Sequence, residues 1–307
     1  MIKLLKSKKN IGVKIAFCQK KTVFVPIYYF PQILHRLKIG ITLDDKEASH
    51  VSDHLENEFE LSNEEMHLYS RQILLDGWDI EAQEKLKLAN VLIIGAGGIG
   101  CTSAELLARA GVGKITIVDA DTIEISNLQR QIAFTTNDLG RYKAEILAKH
   151  LQEINPHIQV SYQNIRFDET NADELVQHQD VVLDGCDNFT TRYLVNAVCK
   201  KHQVPLISAS AIGFEGQMFM VESDSACYEC LFPKEDQTNE GLRCADSGVL
   251  STTPVMIASL QAHHTLLFLG LGLMPLKQKL LLWNGLNLSQ RILKFEKDVN
   301  CPVCQAT

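Results

Sequence analysis

A short apolar run that leads directly into a glycine cluster most constrains how this chain can fold. Residues Asn90–Ile94 are followed by G-A-G-G-I-G, in which Gly95, Gly97 and Gly100 give the spacing G-x-G-x-x-G. Glycine permits a tight turn and a close approach of the backbone to phosphate, and the helix that follows offers free N–H groups at its positive end. The pattern therefore predicts a strand, a nucleotide-binding loop and a helix over residues 103–110.

Strand and helix patterns alternate along most of the chain. Further strands are predicted at residues 114–119, 158–162, 181–183, 205–210 and 217–221, and further helices at 62–73 and 143–154. Ser62 and Glu65 have the spacing of a capping box at the start of the first helix. Such alternation predicts an α/β fold with a Rossmann-like, mostly parallel sheet and helices on both faces. A glycine turn at residues 213–216 introduces an antiparallel part, which makes the sheet mixed.

Charge divides the chain into two zones. Residues 1–43 contain nine Lys or Arg and no Asp or Glu, and a polar, acidic stretch follows up to residue 60. We therefore expect residues 1–60 to form an N-terminal extension, either a tail or a small accessory module. Residues 61–307 are expected to form the main domain. The formal net charge of −7 argues against a general nucleic-acid binder.

The sequence predicts neither a membrane span nor a targeting signal. The longest apolar candidate, residues 22–34, is shorter than the roughly 18–20 residues that a membrane helix needs, and it contains two prolines. The N-terminus lacks the order of basic end, apolar stretch and small-residue cleavage site that a signal peptide has. We therefore expect a cytoplasmic protein without a membrane partner.

Nine cysteines in a reducing compartment indicate metal ligands or reactive thiols more than disulfides. The chain has two C-x-x-C pairs, formed by Cys227 with Cys230 and by Cys301 with Cys304. Four thiolates satisfy a tetrahedral zinc ion with no open position, whereas a redox C-x-x-C would not explain two pairs. We expect a structural zinc that pins the C-terminal portion to the core, because metal-binding energy becomes folding energy.

Polar residues after the glycine loop indicate which nucleotide binds. Asp119 ends the next strand, where a carboxylate can hold ribose hydroxyls. A polar and basic cluster follows, made up of Ser126, Asn127, Arg130 and Lys143. A dinucleotide site does not need such a cluster, but a site that neutralises a triphosphate and releases pyrophosphate does. We therefore predict ATP, with an NAD-dependent oxidoreductase as the remote alternative for the same loop.

A second acidic segment follows the strand predicted at 181–183. Asp184 and Asp187 lie at its carboxyl end, the edge where ligands bind in α/β proteins. One carboxylate together with phosphate oxygens is a usual ligand set for Mg²⁺. We choose Asp187, which is followed by Asn188, over Asp184 as the magnesium ligand.

Several motifs then resemble one family. The strings L-Y-S-R-Q-I-L-L-D-G ending at Gly77, G-A-G-G-I-G, S-N-L-Q-R-Q and G-C-D-N-F-T-T-R occur in order. They resemble the adenylating half of ubiquitin-activating-type enzymes, and more narrowly the ThiF/MoeB/HesA family, over about residues 64–304. The run I-S-A-S-A-I-G-F-E-G-Q at 207–217 and the phrase R-Q-I-A-F-T-T-N-D bring the resemblance nearest to the ThiF branch.

The resemblance implies roles for individual residues. It places Gly98 behind the phosphates, Asp119 at the ribose, Asn127, Arg130 and Lys143 at the triphosphate, Asp187 at Mg²⁺ and Asn188 near the adenine or ribose. Arg71 matches an arginine that reaches into the neighbouring protomer's site, which implies a homodimer. Cys244 matches a loop cysteine that joins the carrier's acyl group in sulfur transfer, although an ordinary loop thiol is the alternative.

The resemblance also implies a reaction and its partners. The expected activity is ATP-dependent adenylation of the C-terminal Gly-Gly carboxylate of a ubiquitin-like sulfur carrier, with release of pyrophosphate, for thiamine biosynthesis. A separate sulfur donor, such as a cysteine desulfurase, would supply the sulfur. A carrier for molybdopterin synthase is the alternative. Because related peptide-adenylating enzymes carry N-terminal modules that grip a partner, residues 1–60 leave a short peptide substrate open as well.

Overall fold

The computed structural model describes residues 2–7, 10–16, 22–26, 61–234 and 248–305. The chain divides into two compact units, residues 1–58 and 59–307. In the first unit, three strands form an antiparallel sheet in the order β1-β2-β3. These strands are β1 (Ile2–Ser7), β2 (Asn10–Ala16) and β3 (Thr22–Pro26).

The second unit is built on an eight-stranded sheet with the order β11-β10-β9-β8-β7-β4-β5-β6. Its strands are β4 (Asn90–Ile94), β5 (Lys114–Val118), β6 (Gln159–Gln163), β7 (Val181–Asp184), β8 (Leu206–Ile212), β9 (Glu215–Val221), β10 (Lys279–Asn284) and β11 (Ser289–Lys294). The five neighbouring strands β8, β7, β4, β5 and β6 run parallel to one another. Beyond β8, the strands β9, β10 and β11 follow in turn, each antiparallel to its neighbour. The predicted Rossmann-like, mixed and mostly parallel sheet is therefore confirmed.

Helices cover both faces of this sheet. They are α1 (Asn63–Leu68), α2 (Ser70–Ile73), α3 (Asp79–Leu88), α4 (Gly98–Ala110), α5 (Lys143–Ile154), α6 (Ala172–Val176), α7 (Phe189–His202), α8 (Tyr228–Leu231), α9 (Thr252–Leu271) and α10 (Pro302–Gln305). Alternate residues of β4 enter two different cores: Val91 and Ile93 pack with α3, α4, α5 and α9, whereas Leu92 and Ile94 pack with α6, α7 and α8. This alternation is the period of a strand that is buried on both faces.

The register of the parallel strands brings three loops to one edge. Ile94 at the end of β4 pairs with Val118 of β5 and with Asp184 of β7. The glycine loop, Asp119 and the segment that follows Asp184 therefore leave the sheet side by side. This is the carboxyl edge at which ligands bind in open α/β sheets.

The capping box at the entry to the unit forms as predicted. The Ser62 hydroxyl accepts the Glu65 N–H at 3.2 Å, and the Glu65 carboxylate accepts the Ser62 N–H at 2.8 Å. The helix predicted at 62–73, however, is two short helices, α1 and α2, which meet at Tyr69. Tyr69 is buried and accepts a hydrogen bond from Asn155 at 2.8 Å, so tertiary packing breaks the helix there.

Among the described residues, one helix, α9, is long and apolar enough to cross a membrane by length and composition. Our expectation that no run approaches that length therefore does not hold for α9. The helix packs against α4 and against strands β8 and β9. Its buried Gln261 donates to the carbonyls of Asp184 at 3.0 Å and of Ile207 at 2.9 Å, and accepts from the Ser103 hydroxyl at 2.8 Å. These bonds tie a polar face of α9 to the ends of β7 and β8.

Candidate active site

The glycine loop has a backbone that other residues would not adopt. Gly95 has φ +91°, and a Cβ added there would lie 3.0 Å from the carbonyl oxygen of Gly185. A Cβ added at Gly100 would lie 1.8 Å from the carbonyl oxygen of Gly95. Gly100 thus allows α4 to lie directly against the loop. Gly100 is therefore needed for the shape of the loop, but it does not line the neighbouring cavity.

The loop opens into a cavity of about 1480 Å³. A Cβ added at Gly97, the residue that precedes α4, would have no heavy atom within 4 Å. The first turn of α4, beginning at Gly98, therefore presents its free N–H groups at the cavity wall. This arrangement suits a phosphate group.

The cavity collects most of the residues that the sequence analysis singled out. Its walls include Gly95, Gly97, Gly98, Asp119, Ser126, Asn127, Arg130, Lys143, Asp187 and Asn188. Arg71 lies elsewhere, exposed on α2. Cys244 lies outside the described residues. One surface thus holds the residues that were predicted to bind phosphate, ribose and magnesium, and these residues follow three different strands.

Asp119 fixes the glycine loop from the side. Its carboxylate accepts the N–H of Ala96 at 2.6 Å and that of Asp121 at 2.7 Å. Burial raises the pKa of Asp119, while the nearby ammonium of Lys143 and the two backbone N–H groups counteract that rise. The carboxylate keeps lone pairs toward the cavity that can accept hydrogen bonds from ribose hydroxyls.

The cationic side of the cavity consists of Lys143 and Arg130. Lys143 is the first residue of α5 and is buried, and its Nζ lies 2.8 Å from the carboxylate of the exposed Asp121. Arg130 donates to the carbonyl of Ser126 at 2.9 Å. Each cation thus contacts a neighbouring oxygen and has further donors for phosphate oxygens.

Asn127 lines the same cavity and is held by a local turn. Its side-chain oxygen accepts the N–H of Glu124 at 3.1 Å, so its amide group is fixed in place. Asn127 is buried and its amide nitrogen lies 3.4 Å from the hydroxyl of Ser126. The S-N-L-Q-R segment is therefore a preformed turn that aims polar groups at the cavity.

The two carboxylates after β7 have different environments. Asp184 is fully buried and forms an ion pair with Arg192, with 3.0 Å between Oδ2 and Nε. Asp187 is exposed on the cavity wall. Asn188 caps α7 by accepting the N–H of Thr191 at 2.9 Å. Asp187 is thus the one of the pair whose carboxylate can take a hydrated cation.

Two parts of this cavity were not predicted from the sequence. Arg192 lines it, although only the string T-T-R pointed to this residue and no role was assigned to it. The spacing from Asn188 to Arg192 puts both on one face of α7, which is a signal that could have been used. Strands β10 and β11 were not predicted, and they supply a wall that includes Trp283, Asn284 and Arg291.

The four cysteines of the two C-x-x-C pairs meet in a separate cluster. The sulfur of Cys227 lies 3.9 Å from that of Cys230 and 3.6 Å from that of Cys301, and the sulfurs of Cys230 and Cys304 are 3.6 Å apart. All four sulfurs lie within 4.8 Å of one another. Four sulfurs at 2.3 Å from a central ion, at tetrahedral corners, would be about 3.8 Å apart. The residues therefore fit zinc.

Burial affects the thiols of this cluster. It raises the pKa of Cys227, Cys301 and Cys304 to about 11 in each case, which favours their neutral form when no metal is bound. A divalent ion would favour the thiolate form, which is the form that binds metal. The cluster joins α8 to α10, so a bound ion would fix the last helix of the described chain to the core.

A phosphate-type loop at the carboxyl edge of a mostly parallel sheet places the chain among the Rossmann-like nucleotide-binding proteins. Comparison with known proteins narrows this class. The ThiF family matches residues 69–303, most of the chain, and the chain belongs to that family.

Curated relatives agree with this assignment. The chain is 38% identical over 250 residues to the sulfur carrier protein adenylyltransferase of Thermus thermophilus, a match that covers 79% of this chain and 92% of that protein. It is 38% identical over 247 residues to the molybdopterin-synthase adenylyltransferase of Salmonella typhimurium, covering 80% of this chain and 98% of that one. Both relatives are adenylyltransferases, and this chain is an enzyme of the same class.

Among solved structures, E. coli MccB with MccA-N7isoASN has a similar fold. The TM-score is 0.69 at 22% sequence identity, and the match covers 99% of this chain and 97% of that chain. This likeness concerns the fold alone.

Proposed function

We propose that the enzyme adenylates the C-terminal Gly-Gly carboxylate of a ubiquitin-like sulfur-carrier protein with ATP, releasing pyrophosphate. The observation that carries the proposal is the meeting of the glycine loop with Lys143, Arg130 and Asp187 in one cavity. The relatives named for a sulfur carrier protein and for molybdopterin synthase support a carrier of this kind as the substrate.

The reaction requires alignment and charge stabilisation more than proton transfer. A carboxylate oxygen of the carrier attacks the α-phosphorus, the bond to the bridging oxygen breaks, and pyrophosphate leaves with that electron pair. Because the carboxylate is already ionised, no general base is needed. Charge increases on the departing phosphates, where Lys143, Arg130 and the N–H groups at the start of α4 stabilise it. Asp119 holds the ribose and so fixes the α-phosphate relative to these donors.

Asp187 is the residue that would hold Mg²⁺. Its carboxylate is exposed on the cavity wall, and one carboxylate with phosphate oxygens and waters is a usual magnesium ligand set. The ion would neutralise charge on the phosphates. Asn188 next to it lies on the same wall and, as the cap of α7, keeps this segment in place.

Arg71 completes the site from a second copy of the chain. It is exposed on α2, away from the cavity of its own chain, as a residue that acts on a neighbouring protomer should be. We therefore propose a homodimer in which each Arg71 adds a cation to the partner's triphosphate. Its contribution would be of the same electrostatic kind as that of Arg130.

The four-cysteine cluster would hold a structural zinc, since all four corners are taken by thiolates and no position is left for substrate. Cys244 is proposed to form the covalent link to the carrier's acyl group during sulfur transfer. The sulfur would come from a separate donor such as a cysteine desulfurase. We place this chemistry in the cytoplasm and, from the residues at 207–217, in thiamine biosynthesis.

Two other substrates compete with a thiamine carrier. A molybdopterin-synthase carrier has the same Gly-Gly end, and a relative is named for that synthase. A short peptide is the third choice. It rests on residues 1–60, which lie outside the ThiF family match at residues 69–303.

The test is ATP–pyrophosphate exchange by the purified, zinc-loaded chain with Mg²⁺ and each candidate carrier in turn. Exchange that requires one carrier and disappears when its terminal Gly-Gly is deleted establishes the reaction and the pathway together. A titration with NADH in parallel checks the oxidoreductase alternative. Absence of exchange with either carrier, together with exchange on a short peptide, would replace the carrier by a peptide.

A further inference from the structure

The backbone of Cys186, the residue next to the proposed magnesium ligand, is held on both sides by a single buried ion pair. The N–H of Cys186 donates to Oδ1 of Asp184 at 2.9 Å. The carbonyl of Cys186 accepts from Nη2 of Arg192 at 2.5 Å. Asp184 and Arg192 are themselves paired at 3.0 Å. The residue that directly precedes Asp187 therefore has both its backbone polar groups bonded to the two members of one ion pair.

This ion pair lies in the protein interior and has further partners there. Asp184 is 0% exposed and also accepts from the hydroxyl of Ser208 at 2.6 Å. Arg192 is 6% exposed and also donates to the carbonyl of Ala209 at 3.3 Å. Its guanidinium carbon lies 5.9 Å from the ring centre of Tyr228. The cavity reaches Arg192, but its Nη2 donates to backbone carbonyls and its Nε faces Asp184.

Stability alone is a weak reason for such a pair. Replacing a buried ion pair by uncharged groups is often neutral or stabilising, whereas removing one partner leaves a costly unpaired charge. A pair that nevertheless fixes the two peptide groups on either side of Cys186 is explained better by what it positions. Here that is the segment from Gly185 to Asn188, which carries Asp187 from the end of β7 to the start of α7.

We propose that the Asp184–Arg192 pair is a positioning device for Mg²⁺: it sets the backbone at Cys186 so that the Asp187 carboxylate faces the phosphates. Arg192 is then a positioning residue that acts through Asp187, and it does not touch the nucleotide. The inference rests on the proposed function, in which Asp187 binds the magnesium of ATP.

The two readings of Arg192 differ in their dependence on magnesium. If Arg192 positions Asp187, its loss weakens the binding of Mg²⁺, and high magnesium restores the rate. If Arg192 instead binds a phosphate, its loss raises the KM for ATP at every magnesium concentration. Groups that support a metal ligand typically change metal affinity about 10- to 100-fold when they are removed.

The experiment uses the full zinc-loaded chain and three variants. The double variant Asp184→Asn with Arg192→Gln removes both charges together, so that neither is left unpaired, and Arg192→Lys keeps the charge with fewer donors. Lys201→Ala is the control, since Lys201 lies on the same helix and pairs only at the surface, 2.8 Å from Asp173. Thermal unfolding first establishes that each variant is folded.

Carrier-dependent exchange is then measured against magnesium concentration. The double variant should need about tenfold more Mg²⁺ for half-maximal exchange and should approach the wild-type rate at saturating magnesium. Arg192→Lys should be intermediate and Lys201→Ala unchanged. Binding of Mn²⁺ with a non-hydrolysable ATP analogue, followed by electron paramagnetic resonance, should weaken in the same order without any turnover.

The outcomes separate the two proposals. No exchange by the wild-type chain with any substrate would remove the proposed function. Exchange by the wild-type chain, with a folded double variant whose half-saturating magnesium is unchanged, would overturn the positioning role. A KM for ATP that rises equally at low and high magnesium would assign Arg192 to the phosphates instead.

Discussion

The nucleotide cavity and the four-cysteine cluster differ in whether their polar groups remain open to a ligand from outside. In the cavity, polar groups are held by short local bonds, such as Asp119 to Ala96 and Asn127 to Glu124, while their remaining lone pairs and protons face open space. In the cluster, the four sulfurs face one another and leave no room for a substrate. An open set of ligands suits chemistry, whereas a closed set suits stability.

The two regions also differ in the elements that supply their residues. The cavity is assembled from successive strand ends, because the parallel register places the ends of β4, β5 and β7 side by side. The cluster joins two C-x-x-C pairs from different parts of the chain, and Cys227 of the first pair lies 74 residues before Cys301 of the second. Loss of a cavity residue should therefore reduce the reaction rate and leave the fold intact. Loss of the cluster's metal should instead lower the stability of the fold.

The largest effect is expected from removal of the metal. Extraction of zinc with a chelator should lower the free energy of unfolding by about 5 kcal/mol, because four buried thiols would lose the ion that holds them together. That corresponds to a fall of about 10–20 °C in the melting temperature, measured by calorimetry. Re-addition of zinc should restore it. An unchanged melting temperature after verified zinc loss would contradict a structural role.

The next effect concerns rate alone. Arg130→Ala should lower carrier-dependent pyrophosphate exchange about 100- to 1000-fold, as expected for a group that stabilises developing charge. Its melting temperature should stay within about 1 °C of the wild-type value, since its partner is only a backbone carbonyl. Arg141→Ala is the matched control, because Arg141 is exposed and pairs only with Asp138. Exchange by Arg130→Ala at the wild-type rate would exclude it from the reaction.

Two glycines of the same loop allow a sharper division between fold and binding. Gly100→Ala puts a methyl group 1.8 Å from the carbonyl oxygen of Gly95, so α4 must shift, and the free energy of unfolding should fall by about 3 kcal/mol. Gly97→Ala meets nothing within 4 Å, so it should leave stability unchanged and weaken ATP binding by crowding the phosphates. Denaturant unfolding and an ATP titration on both variants check this; equal destabilisation by both would be inconsistent with it.

The smallest effect lies away from both regions, at the entry to the domain. Burial alone raises the pKa of Glu65, but hydrogen bonds from Lys87 and Ser62 outweigh it and leave the pKa below its ordinary value. The resulting stability is present above the pKa of an unfolded glutamate, about 4.3, and is lost as the pH falls through the lowered folded pKa.

Glu65→Gln should therefore lower stability at pH 7 by about 1 kcal/mol, given an ion pair of 2.7 Å with a partly exposed lysine. The difference from the wild-type protein should shrink as the pH falls below 4. Denaturant unfolding at pH 7 and at pH 3.5 measures it. A difference of the same size at both values would mean that the charge of Glu65 is not responsible.

Local patterns predicted those parts of the fold that depend on nearby residues. The glycine loop, the capping box and the carboxylate at the end of β5 each follow from a few adjacent positions, and the structure has them at the predicted places. Prediction was poorer for β10 and β11 and for the break at Tyr69. These features depend on pairing with β9 and on a contact with Asn155, neither of which leaves a local pattern.

The class of fold, the phosphate loop and the two cysteine pairs could be predicted from the sequence, because backbone geometry and short spacings are local properties. The other features became clear only in the folded structure. It showed that Asp184 is buried against Arg192 while Asp187 is exposed on the cavity, and it brought four sulfurs from distant parts of the chain within 4.8 Å of one another. Such choices depend on which side chains packing excludes from water, and packing is a property of the whole chain.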